Sequence, residues 1–315
     1  MTAPAGEAGF WHEALFYRDD DEFVSLVGDY LREGLERDET VLVVEPRPHL
    51  ELLRNALGTD AEAVHWLDMA DVGANPGRII PLWADLVTEH GRSGRPVRGV
   101  GEPAFAGRRP AELVECEVHE ALIDAAFSPG APWRLLCPYD RRLPAAVQAG
   151  ALRTHAGWRD AEGGGPSPDY VSPDDVDIAT LPACTPLPPP TDVVLRGDFG
   201  VRDVPAVRRT VRAYARSCGL QTEQVEDLQL AASELASNCI RHGSGTGSVA
   251  MWREPDAVIV EFSCAGRLTD ALAGRRRPDP LGEGGMGLYL VQQLCDLVQA
   301  RTGPAGTTVR VSTWV

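Results

Sequence analysis

The stretch Glu234-Leu235-Ala236-Ser237-Asn238, followed about fifty residues later by Gly284-Gly285-Met286-Gly287-Leu288, decides how the C-terminal third of this chain is read. On a helix, Glu234 and Asn238 stand four residues apart and project from one face. An Asn carboxamide can ligand Mg²⁺, while a neighbouring Glu can position or deprotonate a nucleophile. The glycine cluster then opens another helix, where bare backbone N–H groups can approach phosphate oxygens. Together they predict a site for ATP and Mg²⁺.

The surrounding pattern supplies a scaffold for that site. A strand is expected over 193–199, helices over about 204–218 and 222–242, and strands over 247–253 and 257–264. A loop rich in Pro, Arg and Gly then spans 265–286, before a helix over 287–297 and strands over 298–302 and 307–315. Helices grouped on one face of a mainly antiparallel sheet make an α+β sandwich.

Upstream, residues 161–190 hold Gly163-Gly164-Gly165 and the run Pro188-Pro189-Pro190. Such a composition reads as a semi-extended linker without helix or sheet. Before it, residues 1–160 alternate short apolar runs (Val41–Val44, Val64–Leu67, Val97–Val100, Leu135–Cys137) with amphipathic stretches. That alternation predicts a doubly wound α/β domain with a mainly parallel sheet. Ligands of such sheets bind beyond the carboxyl ends of the strands. Glu45, Gly101, Glu102 and Pro138-Tyr139-Asp140 stand there, with helix or turn capping as the bland alternative for Glu45 and Asp140.

Composition narrows the function. All 30 basic residues are Arg and none is Lys, so a Walker A loop and Schiff-base chemistry are excluded. Residues 1–190 carry 32 acidic groups against 16 Arg, whereas 191–315 carry 14 of each. An acidic half is a poor match for nucleic-acid phosphates, so direct nucleic-acid binding is not expected. No apolar run approaches the roughly 20 residues of a membrane span, and the N-terminus lacks a secretory pattern. A cytoplasmic location is expected. The seven Cys form no C-x-x-C pair, which argues against a disulfide framework or a zinc ribbon. Cys116 with His119 is the one ligand-like spacing, and no third ligand lies nearby in sequence.

Taken together, the C-terminal motifs resemble the ATP-binding domain shared by gyrase, the ninety-kilodalton heat-shock chaperone, histidine kinases and MutL (the GHKL or HATPase_c class, with its Bergerat-type sandwich). Within it they look like the anti-sigma-factor serine/threonine kinase branch. The N-box is Glu234 to His242, the second glycine box Gly284 to Leu288, and the Gly-Thr signature Gly306-Thr307. The resemblance implies Asn238 as Mg²⁺ ligand and Glu234 as general base toward an acceptor serine. It places His242 near the phosphates or ribose, Gly284, Gly285 and Gly287 around the phosphates, and Thr307 behind the adenine. It also implies a homodimer whose partners are a sigma factor, an anti-anti-sigma (STAS-type) protein, or both.

One position departs from the family. Where the first glycine box carries Asp-x-Gly, this chain has Cys264-Ala265-Gly266. The family's Asp accepts a hydrogen bond from the adenine amino group, and a thiol is a weak acceptor. The change costs roughly 1.5–3 kcal/mol, about ten- to hundredfold in affinity, and leaves ATP binding weak, altered or absent. Asp270 can substitute only if the following loop folds back. A binding module that has lost catalysis is therefore the alternative function.

The N-terminal half also bears a resemblance. His12-Glu13-Ala14-Leu15-Phe16-Tyr17, Gly101-Glu102 and Cys137-Pro138-Tyr139-Asp140 look like the MEDS sensory domain of methanogen and methylotroph (DcmR-type) regulators. That implies detection of a small-molecule signal, with His12, Glu102, Tyr139 and Asp140 as pocket residues. A sensor histidine kinase is the third reading, because His119-Glu120 and His12-Glu13 resemble phosphoacceptor dipeptides. Neither precedes the ATP domain in a dimerisation hairpin.

Overall fold

In the computed structural model, described here for residues 9–127, 132–172, 185–190, 192–279 and 285–315, strand β1 (Phe10–Tyr17) lies inside a seven-stranded sheet. The apolar-run reading misses this strand. Its opening residues His12 and Glu13 break the apolar pattern, yet His12 is buried against Glu120 and Glu13 pairs with Arg159. Polar residues can occupy a central strand when each finds a partner.

The chain divides into two compact units, Met1–Val176 and Asp177–Val315. In the first, β1 leads to α1 (Asp20–Glu36), β2 (Thr40–Glu45), α2 (Arg47–Leu57), β3 (Val64–Asp68) and α3 (Met69–Val72). Then follow α4 (Ile79–Gly91), β4 (Val97–Gly101), α5 (Pro110–Phe127), β5 (Trp133–Asp140), α6 (Ala145–Thr154), β6 (Gly157–Arg159) and β7 (Gly164–Pro166). The strand order is β3-β2-β4-β5-β1-β6-β7. Every neighbouring pair is parallel except β6 with β7. The Gly-rich start of the expected linker thus contributes an edge strand. Gly164 and Gly165 carry no side chains to pack, so the strand has no apolar signal and is held by pairing with Gly157–Arg159.

Both faces of this sheet are covered, as parallel sheets require. Leu15, Val41, Val43, Val100 and Leu136 pack against Phe23, Val27 and Leu31 of α1 and Leu50 and Leu53 of α2. On the opposite face Trp83 of α4 lies over β4. A methyl group at Gly101 would sit 2.9 Å from the Trp83 ring, and one at Gly99 would sit 3.0 Å from it. The alternating glycines of β4 therefore form the slot that admits the indole.

The second unit runs β8 (Leu195–Gly200), α7 (Val204–Ser217), α8 (Thr222–His242), β9 (Thr246–Glu254), β10 (Ala257–Cys264), α9 (Met286–Leu294), β11 (Leu297–Gly303) and β12 (Gly306–Trp314). Its sheet, ordered β11-β12-β10-β9-β8, is antiparallel throughout. Alternation along the strands sorts the two faces. Met251, Val258, Val260, Phe262 and Val311 face α7, α8 and α9, and pack on Val211, Leu228, Leu235 and Val291. The other face carries a smaller cluster around Trp252 and Ile259. Arg310 stacks there on Trp252, its guanidinium 4.9 Å from the ring centre, while pairing with Glu261 at 2.6 Å. Among the described residues, no helix is long and apolar enough to cross a membrane.

Trp83 is 1 % exposed. Trp83→Ala, which empties the slot over Gly99 and Gly101, is expected to cost about 3–5 kcal/mol. Urea denaturation followed by circular dichroism measures it, and a loss below about 1 kcal/mol would show that the slot collapses freely.

Candidate functional site

Helix α8 begins with a capping box, in which Gln224 returns its side chain to the Gln221 N–H at 3.0 Å. Its apolar stripe of Leu228, Ala232, Leu235 and Cys239 is buried on the sheet. Burying that stripe turns Glu234, Asn238 and His242 toward a cleft of about 660 Å³. Across the cleft, α9 is preceded by its N-cap Gly285, whose φ of 82° is open to glycine. A methyl group at Gly287 would stand 2.7 Å from Glu234 Oε2 and 3.4 Å from Asn238 Nδ2. The backbone at the head of α9 and the α8 pair thus converge, and a side chain at 287 would require the Glu234 carboxylate to shift.

Cys264, Gly266, Leu288 and Thr307 line the same cleft. The structure therefore brings together all the nucleotide-site residues read from sequence except Gly284, which lies outside the described residues. At Gly266 a side chain would collide with the backbone carbonyl of His242, so the first glycine box sits directly on the end of α8. Thr307 pairs with Cys264 across the β10–β12 ladder, and its hydroxyl accepts the Leu268 N–H at 3.1 Å. The loop after β10 does fold back: Asp270 lies on the cleft wall and accepts the Leu272 N–H at 2.9 Å. Arg241, Arg267, Arg276 and Arg277 also line the cleft. They were missed as site residues, although the run Arg275-Arg276-Arg277 in the loop was a signal for phosphate-binding cations.

Cys264 is half-buried and meets a second thiol. A hydrogen bond from Cys239 pulls the Cys264 thiol down to about 7, against burial and with help from the Gly266 N–H. The same contact, with burial, pushes Cys239 far up. Lowered thiols are the reactive ones. Iodoacetamide is expected to label Cys264 first, with a rate rising through about pH 7. Peptide mass spectrometry reads it, and a midpoint near the ordinary thiol value of 9.0 would contradict the pairing.

The N-terminal unit places its four expected pocket residues in two polar groups. His12 and Tyr139 both meet Glu120 of α5. His12 Nε2 lies 3.0 Å from Glu120 Oε2, and Tyr139 donates its hydroxyl to Glu120 Oε1 at 3.2 Å. Glu102 belongs to the second group, at the carboxyl ends of the strands. It accepts the Tyr17 hydroxyl at 2.7 Å and contacts His49 Nδ1 at 2.7 Å. Asp140 is held by Arg142 at 2.6 Å, and its charge is felt by Tyr17. Glu45 lies 3.6 Å from His49, and neither of its buried carboxyl oxygens has a hydrogen-bond partner among the described residues. Glu120, Tyr17 and His49 were not read as pocket residues, because the contacts with His12, Tyr139 and Glu102 that gather them are distant in the chain. Cys116 does not meet His119 as a ligand pair; it donates to the Pro103 carbonyl at 3.2 Å. His12 on β1 and His119 on α5 are each 1 % exposed, which is the wrong setting for a phosphoacceptor.

Burial opposes a charge on His49, but its hydrogen bond to the Glu102 carboxylate and the nearby Glu45 carboxyl outweigh it and raise it to about 10. Burial and the Glu102 charge in turn push Glu45 well up. A histidine raised on folding stabilises fully below its unfolded value near 6.5 and loses that contribution as pH rises through about 10. The stability advantage of the wild type over His49→Gln should therefore shrink by at least about 1 kcal/mol between neutrality and the alkaline end of that window. Urea titrations across the range test it, and a constant difference would rule out the charged pair.

Residues 11–156 match the model of the MEDS (MEthanogen/methylotroph, DcmR Sensory) domain. Residues 200–313 match that of the histidine kinase-like ATPase domain. The chain thus carries a MEDS domain followed by a histidine kinase-like ATPase domain. Its C-terminal part is similar to curated serine-protein kinases. RsbW of Bacillus pumilus (strain SAFR-032) is 29% identical over 122 residues, which are 34% of this chain and 75% of that protein. RsbW of Bacillus velezensis (strain DSM 23117 / BGSC 10A6 / LMG 26770 / FZB42) is 29% identical over 123 residues, 35% of this chain and 76% of that protein. A crystal structure of the RsbU and RsbW domains of a Mycobacterium tuberculosis protein aligns with 16% identity and a TM-score of 0.27, covering 38% of this chain and 32% of that one. That last likeness is too low to carry an argument.

Proposed function

We propose that residues 191–315 form an ATP- and Mg²⁺-dependent serine/threonine kinase domain of the anti-sigma type, governed by a small-molecule-sensing domain over residues 1–160. The convergence of Glu234, Asn238 and Gly287 in one cleft carries this reading. The likeness to RsbW serine-protein kinases supports it. The expected partners are a sigma factor, an anti-anti-sigma protein of the STAS type, or both, with the chain acting as a cytoplasmic homodimer.

Phosphoryl transfer depends on positioning and charge neutralisation, and Mg²⁺ supplies the latter when bound. Asn238 offers the carboxamide oxygen that would hold it. Glu234 accepts the proton of the attacking serine hydroxyl. Gly285 and Gly287 leave the N–H groups at the head of α9 open to phosphate oxygens, and the positive helix end adds to the attraction. His242 and the cleft arginines balance the remaining phosphate charge. Thr307 and Cys264 occupy the adenine end. In the first unit, the signal would be read at the carboxyl ends of the parallel strands, where Glu102 and Asp140 stand beside Glu45, whose carboxyl oxygens have no hydrogen-bond partner among the described residues.

Cys264 also favours a second reading, a binding module that sequesters its partner without turnover. Calorimetric titration with ATP and Mg²⁺ separates the two. Wild type should bind ATP below millimolar concentration, Cys264→Asp about 10–100-fold more tightly, and Gly287→Ala more weakly than wild type. Glu234→Gln should retain binding but lose at least about 100-fold in phosphorylation of an anti-anti-sigma domain. Absence of binding in the wild type with recovery in Cys264→Asp would replace the kinase with the sequestering module.

A further inference from the structure

The group around Glu120 has a geometry that a hydrogen-bonded polar core does not explain. Four side chains from four places in the first unit converge: His12 on β1, Glu120 on α5, Cys137 on β5 and His155 just after α6. Each offers one donor atom, and all four atoms lie within 4.8 Å of one another. All four residues are at most 2 % exposed. His12 Nε2 stands 3.0 Å from Glu120 Oε2 and 3.3 Å from Cys137 Sγ. Cys137 Sγ stands 3.9 Å and His155 Nε2 3.7 Å from the same Glu120 oxygen. A tetrahedral ion with bonds of about 2.0–2.3 Å sets its ligand atoms roughly 3.3–3.7 Å apart. The cluster already has nearly those dimensions.

Outer contacts orient three of the four ligands. His155 Nδ1 is 2.8 Å from the Ala151 carbonyl, which fixes the proton on that nitrogen and leaves Nε2 as a lone pair facing the cluster. That Nε2 is buried with no hydrogen-bond partner among the described residues. His12 Nδ1 lies 3.3 Å from Asp124 Oδ1, short of a well-aligned hydrogen bond but with the carboxylate placed where a metal-bound imidazole takes its outer support. Tyr139 holds Glu120 through Oε1, so the other oxygen, Oε2, is the one turned to the cluster.

We propose that His12, Glu120, Cys137 and His155 bind a divalent transition-metal ion of the zinc class. Two imidazoles and a thiolate select against Ca²⁺ and Mg²⁺, which take oxygen ligands. On binding, Cys137 gives up its thiol proton to solvent, and any proton on His12 Nε2 leaves with it. A dication with one thiolate and one carboxylate makes a neutral site, which suits a buried location. The ion would tie β1 and β5 to α5 and to the chain leaving α6. The proposal concerns the first unit alone and stands whether or not the second unit transfers phosphate.

Co²⁺ serves as the probe. The full-length protein is produced with Co²⁺ in the medium, or stripped with a chelator and refilled, and analysed by elemental content and absorption spectroscopy. One Co²⁺ per chain is expected, with the intense visible bands of a tetrahedral ion and a thiolate-to-cobalt charge-transfer band. Cys137→Ser should abolish the charge-transfer band, and His155→Gln should weaken affinity at least about tenfold. Cys116→Ser and Cys264→Ser should leave both signals unchanged. Wild-type protein without stoichiometric Co²⁺, or a charge-transfer band that survives in folded Cys137→Ser, would overturn the site. The wild-type measurement decides even if a cluster variant fails to fold.

Discussion

The cleft of the second unit depends on a close approach of two elements. The head of α9 comes so near the Glu234/Asn238 pair that a methyl at Gly287 would stand 2.7 Å from Glu234 Oε2, and the carboxylate would have to give way to admit it. That approach sets the backbone at the head of α9 and a carboxylate–carboxamide pair on two sides of one cleft. It also ties the ends of the cleft to each other. Gly266 rests on the last turn of α8, so displacing that helix would disturb both glycine boxes at once.

The first unit uses the same device for packing. Gly99 and Gly101 leave a slot on β4 that Trp83 fills, and the large indole closes one face of the sheet. Its polar groups obey a different constraint. Carboxyls, imidazoles and a thiol buried together are costly unless each is paired, and the two clusters meet that demand unequally. Tyr17 and His49 satisfy Glu102 fully, while Glu45 and His155 retain atoms without hydrogen-bond partners among the described residues.

The second unit was readable almost element by element because its signals are local. The 3.6-residue stripe of α8 and the alternation of β10 announce themselves within one element, and the observed bounds of both coincide with the expected ones. The spacing of Glu234 and Asn238 likewise needs only helical geometry. The first unit hid more. His12 and Glu13 break the apolar run of β1, and β6 and β7 are too short and glycine-rich to carry a period. The His12–Cys137 contact joins residues 125 apart, a relation created by the parallel register of β1 with β5 and invisible to any local pattern. His155 stands in a loop and had no signal of its own.

The central place of β1 has a further consequence, for how the protein is made. Phe10 pairs with Trp133 and Glu13 with Gly157, so the first strand of this unit finds its two neighbours only after most of the unit has been translated. Loop closure over such separations is slow, and parallel sheets with non-local pairing expose strand edges while they wait. Until β5 emerges, Leu15, Phe16 and Tyr17 have no sheet to enter. The sheet of the first unit is therefore completed around β1 only when its C-terminal strands are in place.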